Sequence, residues 1–462
     1  MLSSGFDYNQ TKLKGASIET KKRFEKPHRI GSFKASSKIT IHLPQIPNSF
    51  ADLKNAYLKF NITSAGLAKF DNTAYCLFDR IVVSSKAVVL DELQGVPSYY
   101  NLATSLENIP LAGYNSPIGQ GNDDRLPHVG LEVSTSTASP TRICLPFVHG
   151  IFGADKYLPL FSEAGVKLEF YLNDVNKALL SSSVANGDFT ITNVEFVYPM
   201  LTLPLETFQK LENDVENYYI DVNSCFHHQI GVPAGSVREN HIIPARYSSI
   251  NSIILMMRNT SDSTDVDKVK YSTRSANRLE SIQFRHKGQN YPEQPLTRKA
   301  GTDGVANQRA KQSSEMFLES LSTYASINSY NFKQKGDMFV LRHSALEDDD
   351  AQNDGDGRNV VNTYERENGS VAINIAASTT ISSLTTNNLF GSFFVAVPLS
   401  SYKSPELNKA MYHGLNSIGA DIFVNTEFGG AGVPAEALFD YYTHYSSVII
   451  LDKDTLEFSI MN

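Results

Sequence analysis

The chain has 462 residues, 41% of them apolar and 19% charged, which is too long for one ordinary core and too apolar for disorder over most of its length. With 26 Phe, 22 Tyr and no Trp, alongside frequent Ser, Thr and Asn, the composition suits strands and loops better than helices. The net charge of −8 is uneven: residues 1–38 hold nine Lys and Arg against Asp7, Glu19 and Glu25, about +6, and leave about −14 for the rest, so a basic arm on an acidic body points to a polyanion or an acidic neighbour on one side only.

The opening MLSSGFDYNQ has no apolar run, and no window reaches the roughly 18 apolar residues of a membrane span, so the sequence reads as neither secreted nor membrane-embedded. After the arm, KITIHLP (38–44) reads as a strand stopped by Pro44, and LKNAYLKFNI (53–62) as a longer one. LFDRIVVSSKAVVLDEL (77–93) is two β-branched runs around Ser84, Ser85 and Lys86, a hairpin signal. VPSYYNLATSLE (96–107) predicts a short helix with Pro97 near its first position, where a missing N–H costs nothing. A polar span at 108–128 reads as a loop, and RICLPFV (142–148) as a continuous apolar strand. In AGVKLEFYLN (164–173), Val166, Leu168, Phe170 and Leu172 alternate with Lys167, Glu169, Tyr171 and Asn173, the period-two signal of a half-buried strand. FTITNVEFVYPML (189–201) closes this half, entered through a hairpin turn at Asn186-Gly187. In LPLETFQKLENDVENYY (203–219), Leu205, Phe208, Leu211 and Val215 recur at helical spacing behind Pro204, predicting an amphipathic linker helix.

The second half repeats that order. SSINSIILMMR (248–258) stands where NAYLKFNI stood, LESIQFRHKGQNYP (279–292) where the hairpin stood, with Lys287-Gly288 at its turn, and SSEMFLESLSTY (313–324) where the short helix stood. LFGSFFVAVPLSS (389–401) matches RICLPFV, GADIFVNTEF (419–428) matches GVKLEFYLN, and SSVIILDKDTLEFSIMN (446–462), read as a terminal hairpin around residues 452–454, matches the strand pair that ends the first half. Six correspondences in one order imply two successive antiparallel domains of one design, the second enlarged by polar loops at 259–280, 287–312 and 343–370.

Few polar features suggest chemistry. Cys76, Cys144 and Cys225 are odd in number, lack a CxxC pair and read as buried small hydrophobes in a reducing compartment. LEDDDAQNDGDG (346–357) has oxygens for calcium but fails the EF-hand register, so a solvated acidic loop competes with a cation site. His227-His228 beside Cys225 hints at a metal, yet neighbours on a strand face opposite ways. FGGAGVPAEA (428–437) fits no phosphate-cradling pattern and reads as a flexible turn, and no GxSxG elbow is present. The basic arm, Lys12, Lys14, Lys21, Lys22, Arg23, Lys26 and Arg29, reads either as a solvated tail or as a contact for nucleic-acid phosphates, an acidic neighbour or an anionic membrane. Phe6, Tyr8, Phe24 and Phe33 interleave it too thinly for base stacking.

IPNSFADLKNAYLKFNI, the LFDRIVVSS…LDEL hairpin with its following helix, AGVKLEFYL, and FTITNVEFVYPMLTLPLETFQKLEN leading onward together resemble the double jelly-roll major capsid proteins of the PRD1–adenovirus lineage, the polinton-like, adintovirus and virophage type. The resemblance implies an all-β fold, two tandem eight-stranded antiparallel jelly rolls joined by a short helical linker. Its expected parts are a basic arm (1–36), a first roll (37–203), the linker helix (204–217) and a second roll with enlarged loops (218–462). It also implies a non-enzymatic virion protein without a cofactor, a homotrimer forming pseudo-hexagonal capsomers of an icosahedral shell. Its partners would be neighbouring capsomers, penton and minor capsid proteins, and an internal membrane or genome phosphates reached by the arm. A jelly roll removes most sheet edges, leaving a rigid wedge whose loops vary freely. The competing readings are a secreted-type two-barrel glycan or glycoprotein hydrolase, or a lectin-like β module. Such proteins are expected to carry a secretion signal and Trp platforms for sugars.

Overall fold

The structure, a computed structural model, describes residues 18–29, 31–106, 117–119, 129–163, 165–260, 266, 270–271, 274, 277, 279–297, 314–327, 340–342, 360–362, 373–375, 381–384, 393–399, 414–429 and 432–461. Two β bodies follow one another along the chain. The first comprises β1 (Glu19–Glu25), β2 (Phe33–Lys34), β3 (Lys38–Leu43), β4 (Ser49–Ala51), β5 (Tyr57–Ser64), β6 (Ala68–Asp71), β7 (Phe78–Ser85), β8 (Val88–Gln94), helix Val96–Leu106, β9 (Val129–Val133), β10 (Thr141–Pro146), β11 (Leu158–Pro159), β12 (Val166–Leu172), β13 (Leu179–Ser181) and β14 (Phe189–Thr202). One sheet runs β10-β5-β14-β4-β11, with β1 and β2 also paired to β14, and the facing sheet runs β3-β12-β7-β8. Alternation decides which side chains meet between them: Leu58, Phe60 and Ile62 of β5 and Ile39, Ile41 and Leu43 of β3 are buried, while Tyr57, Lys59 and Asn61 point outward. On β12 the apolar set is buried as its alternation predicts. Glu169 is buried as well, because Lys38 at 2.7 Å and Lys167 at 3.4 Å neutralise it.

The second body comprises β15 (Asn217–Val232), β16 (Arg238–Ile243), β17 (Ile250–Asn259), β18 (Leu279–His286), β19 (Gln289–Thr297), helix Ser314–Ile327, β20 (Val340–Arg342), β21 (Val360–Asn362), β22 (Ile373–Ile375), β23 (Ile381–Leu384), β24 (Val395–Pro398), β25 (Ile422–Phe428), β26 (Ala437–Asp452) and β27 (Phe458–Met461). Its sheets run β15-β26-β17-β24, with β27 on β26, and β16-β25-β18-β19. Position by position this repeats the first body: β26 stands for β14, β17 for β5, β24 for β10, β25 for β12, and hairpin β18–β19 for β7–β8. The sequence correspondences are therefore structural ones except the last: β27 pairs β26, but the first body has no strand after β14 to match it, and β13 before it pairs β6. At the Lys287-Gly288 turn both residues have positive φ (46° and 83°), the left-handed pair that a two-residue hairpin loop needs.

Several expectations change. Asn186-Gly187 is no hairpin turn; it lies in a one-turn helix, Val184–Gly187, whose N-cap Ser183 accepts from the Asn186 N–H, and the strand before it, β13, pairs with β6. A local side-chain cap there competes successfully with the turn signal. The linker helix is Leu205–Asp214, and Asn217 already belongs to β15. Phe208, Leu211 and Val215 are buried as its stripe predicts, but Leu205 in the first turn is 58% exposed. Residues 19–25 and 33–34, part of the segment read as an arm, are strands held on β14. The beginning of the 446–462 element is also revised: β26 starts at Ala437, and residues 429 and 432–436 form the turn between β25 and β26. Most of the 108–128 loop and the acidic stretch 346–357 lie outside the described residues.

Candidate functional site

Two regions concentrate polar side chains: the joint between the bodies, and the outer face of the first body's β14 sheet.

At the joint, β15 and β26 of the second body lie against β8 and the segment that follows it. Asp91 on β8 accepts from Ser224 Oγ (3.0 Å) on β15 and from the Ile151 N–H (3.1 Å). Tyr442 Oη donates to the Gly95 carbonyl (2.7 Å), and the Tyr99 ring lies 5.6 Å from Tyr442 and 5.9 Å from His444. Gly95 sits at φ +65°, and a Cβ there would come 2.6 Å from Tyr442 Oη. Behind this contact Asp440 receives Arg258 Nε (2.7 Å), His227 Nε2 (3.0 Å) and Gln229 Nε2 (2.6 Å). Burial alone would raise the Asp440 pKa, but the Arg258 guanidinium and the His227 contact outweigh it and hold the carboxyl well below its usual range. At the other end of the joint, Tyr218 of β15 packs on Phe50 and Phe161, and Phe208 of the linker helix packs on the same pair. Lys86 reaches Glu163 (3.3 Å) and Glu457 across the exposed rim, where ion pairs add little.

Tyr100 Oη lies 2.7 Å from His149 Nδ1, and His149 Nε2 lies 4.0 Å from Asp91 Oδ2. Such a row could relay protons if a substrate reached it. The His149 and Asp91 side chains are, however, only 2% and 1% exposed. Burial drives His149 down to about 3 and keeps it neutral, and pushes Asp91 up to about 6. The row serves the packing of the joint.

The second region is cationic. On the outer face of the β1-β14-β5-β10 sheet, Lys59 stands opposite Glu195 on one side and Cys144 on the other, and Asn61 opposite Thr192 and Arg142. Lys22 of β1 lies over the Tyr57 ring at 5.1 Å. A bulge between Thr192 and Glu195, with Asn193 at φ 50°, interrupts the ladder. Beside it opens a groove of about 570 Å³ whose lining includes Lys26, Arg29, Lys59 and Arg142. Glu195, the carboxylate in that lining, is bound to Lys59 at 3.1 Å. Of the arm cations, Lys22 and Lys26 therefore join this face, with Arg29 in the groove, while Arg23 pairs with Glu25 at 3.0 Å and Lys21 with Glu19 at 2.6 Å. Lys12 and Lys14 lie outside the described residues.

The other candidates fall elsewhere. His227 turns to Asp440, while the His228 ring stacks near Phe226, as alternation on β15 demands. Among the described residues no group of three His, Cys, Asp or Glu could hold a metal ion. Cys76 and Cys225 are buried, but Cys144 is only half-buried, because it points outward from β10. Sequence reasoning missed Asp91, Asp440 and Arg258 altogether.

No family model and no curated protein matches the chain. Solved structures do resemble it. The PBCV-1 virus capsid is 9% identical over 98% of this chain and 99% of that one, with a TM-score of 0.59. The Faustovirus major capsid protein is 9% identical over 95% of this chain and 92% of that one, with a TM-score of 0.52. At such identity the likeness is one of fold, and it covers both bodies and their joint. The chain has the double jelly-roll fold of these viral capsid proteins.

Proposed function

We propose that the chain is a structural, non-enzymatic viral major capsid protein that assembles as trimeric, pseudo-hexagonal capsomers tiling an icosahedral shell. The observation that carries this reading is the duplication: two bodies of one sheet order, locked by a buried joint, in a fold held along its whole length in common with viral capsid proteins. Three such chains around a three-fold axis present six similar wedges, a nearly hexagonal block that tiles a surface. Neighbouring capsomers, penton and minor capsid proteins would be its partners in the virion. The segment before β1, with Lys12 and Lys14, is proposed to point inward toward an internal membrane, a minor protein or genome phosphates. Lys21, Lys22, Arg23, Lys26 and Arg29, held at or beside the β1 edge, would steer it rather than extend with it. Cryo-electron microscopy of the expressed full chain tests the reading: closed three-fold rings with six lobes are expected, and dispersed single chains would sink it.

A further inference from the structure

The connection between β17 and β18 straps the two bodies together and carries a buried guanidinium that no described carboxylate meets. On the first body, the Val266 carbonyl accepts from the Ser181 N–H of β13 (2.9 Å), and Asp71 of β6 accepts from the Lys270 and Tyr271 N–H groups (2.6 and 3.2 Å). Arg274 then turns back onto the second body, where it is 2% exposed. Its Nη1 lies 3.6 Å from Met256 Sδ on β17, and its Nε, sealed from solvent, has no hydrogen-bond partner among the described residues. Arg258, two residues along the same strand from Met256, shows the contrast: Asp440 accepts from it at 2.7 Å, and the Tyr271 ring lies 5.3 Å away. Burial pulls the Arg274 pKa from 12.5 to about 10, against the opposing effect of the Tyr324 and Tyr442 phenols, so the group is still charged at neutral pH. Tyr442 supplies no negative charge, because burial drives its own pKa upward and its proton is held on the Gly95 carbonyl. A buried charge left without a counter-charge is strongly destabilising.

We propose that Arg274 Nε donates to a bound halide ion, which staples the strap to the joint. The surroundings select this class of anion. Met256, Tyr324 and Tyr442 are fully buried and bring no second positive charge, so a dianion such as phosphate or sulfate would itself keep an unmet charge there. A halide matches the single charge of the guanidinium and accepts an N–H from any direction. Tyr442 reaches the first body through Gly95, Tyr324 belongs to helix Ser314–Ile327, and Arg274 belongs to the strap. An ion held among them therefore binds the assembled joint and not the unfolded chain, and the stability of the joint rises with halide concentration. The inference is independent of the capsid reading.

Thermal melts of the full chain test this, with sodium chloride titrated against sodium gluconate at a constant ionic strength of about 0.15 M, in the wild type and in Arg274→Met, which keeps an unbranched side chain and removes the charge. At about tenfold excess over its Kd the halide multiplies the folded-to-unfolded ratio by about eleven, so the wild type should melt about 1–3 °C higher in chloride than in gluconate. Arg274→Met should melt at one temperature in both salts. Wild-type melts that coincide in the two salts would overturn the proposal, as would an Arg274→Met chain that responds as fully as the wild type. A shift with sodium phosphate and none with chloride would overturn the halide and assign an oxyanion instead. Should Arg274→Met fail to fold, wild-type crystals grown in bromide decide: an anomalous peak within hydrogen-bonding reach of Arg274 Nε is expected, and a map without one there would overturn the site.

Discussion

Replacing Asp91 by Asn isolates the electrostatics of the joint. The Asp91 carboxyl is buried, and burial raises its pKa from 3.8 to about 6 in the folded protein, against the lowering effect of the Ile151 N–H and Ser224. Because the folded value lies above the unfolded one, the charged carboxylate costs the folded state. That cost is absent below pH 3.8, grows as pH rises to 6 and is complete above it. At 1.36 kcal/mol per pH unit the gap amounts to about 3 kcal/mol at neutral pH. Asparagine keeps an acceptor for the Ile151 N–H, and its amide can donate to Ser224 Oγ, whose own proton can turn to Ser447 Oγ at 3.3 Å. Asp91→Asn should therefore gain roughly 1–3 kcal/mol at pH 7, the low end allowing for imperfect amide geometry, and gain nothing at pH 3.5. Urea unfolding followed by tyrosine fluorescence at both pH values measures this. A variant weaker than wild type at pH 7 would refute the reasoning, since it would mean that the charged carboxylate stabilises the joint.

Asp440 should behave in the opposite sense. Asp440→Ala leaves Arg258 buried without its carboxylate and should cost about 3–5 kcal/mol; because the folded pKa is lowered, the stabilisation is complete above pH 3.8 and fades as pH falls below it, which acid unfolding of the two proteins would display. Gly95→Ala, with its new Cβ against Tyr442 Oη and a positive φ, should cost on the order of 1–3 kcal/mol, and Tyr442→Phe in the same chain should return part of the loss in thermal melts. Leu211→Ala in the linker helix should cost about 2–5 kcal/mol, read by the same unfolding assay. Deleting residues 1–17 should leave the melting temperature unchanged, whereas deleting 1–36 strips β1 and β2 from β14 and should lower it.

What could be read from the chain depended on how many faces a strand exposes. β12 and β25 bury one face each, so their side chains alternate and the repeat between them was legible. β26 is buried nearly throughout, one face in its own sandwich and the other under the first body, so ALFDYYTHY shows no period-two pattern. Asp440 and His444 disguise it further, being polar residues in the interior that only the joint explains. β15 alternates in its first half but follows the linker helix so closely that its opening residues read as helix. β1, ETKKRFE, lies at an exposed edge of its sheet, and its charges, typical of edge strands, read as a tail. The joint itself was invisible, because partners such as Asp91 and Ser224 lie 133 residues apart and neither sits in a motif.

The measurement that bears most directly on the central claim is the solution mass of the purified full chain by size-exclusion chromatography with light scattering at micromolar concentration. The account requires three times the 51.1 kDa of one chain. A well-behaved species at the mass of a single chain would contradict it.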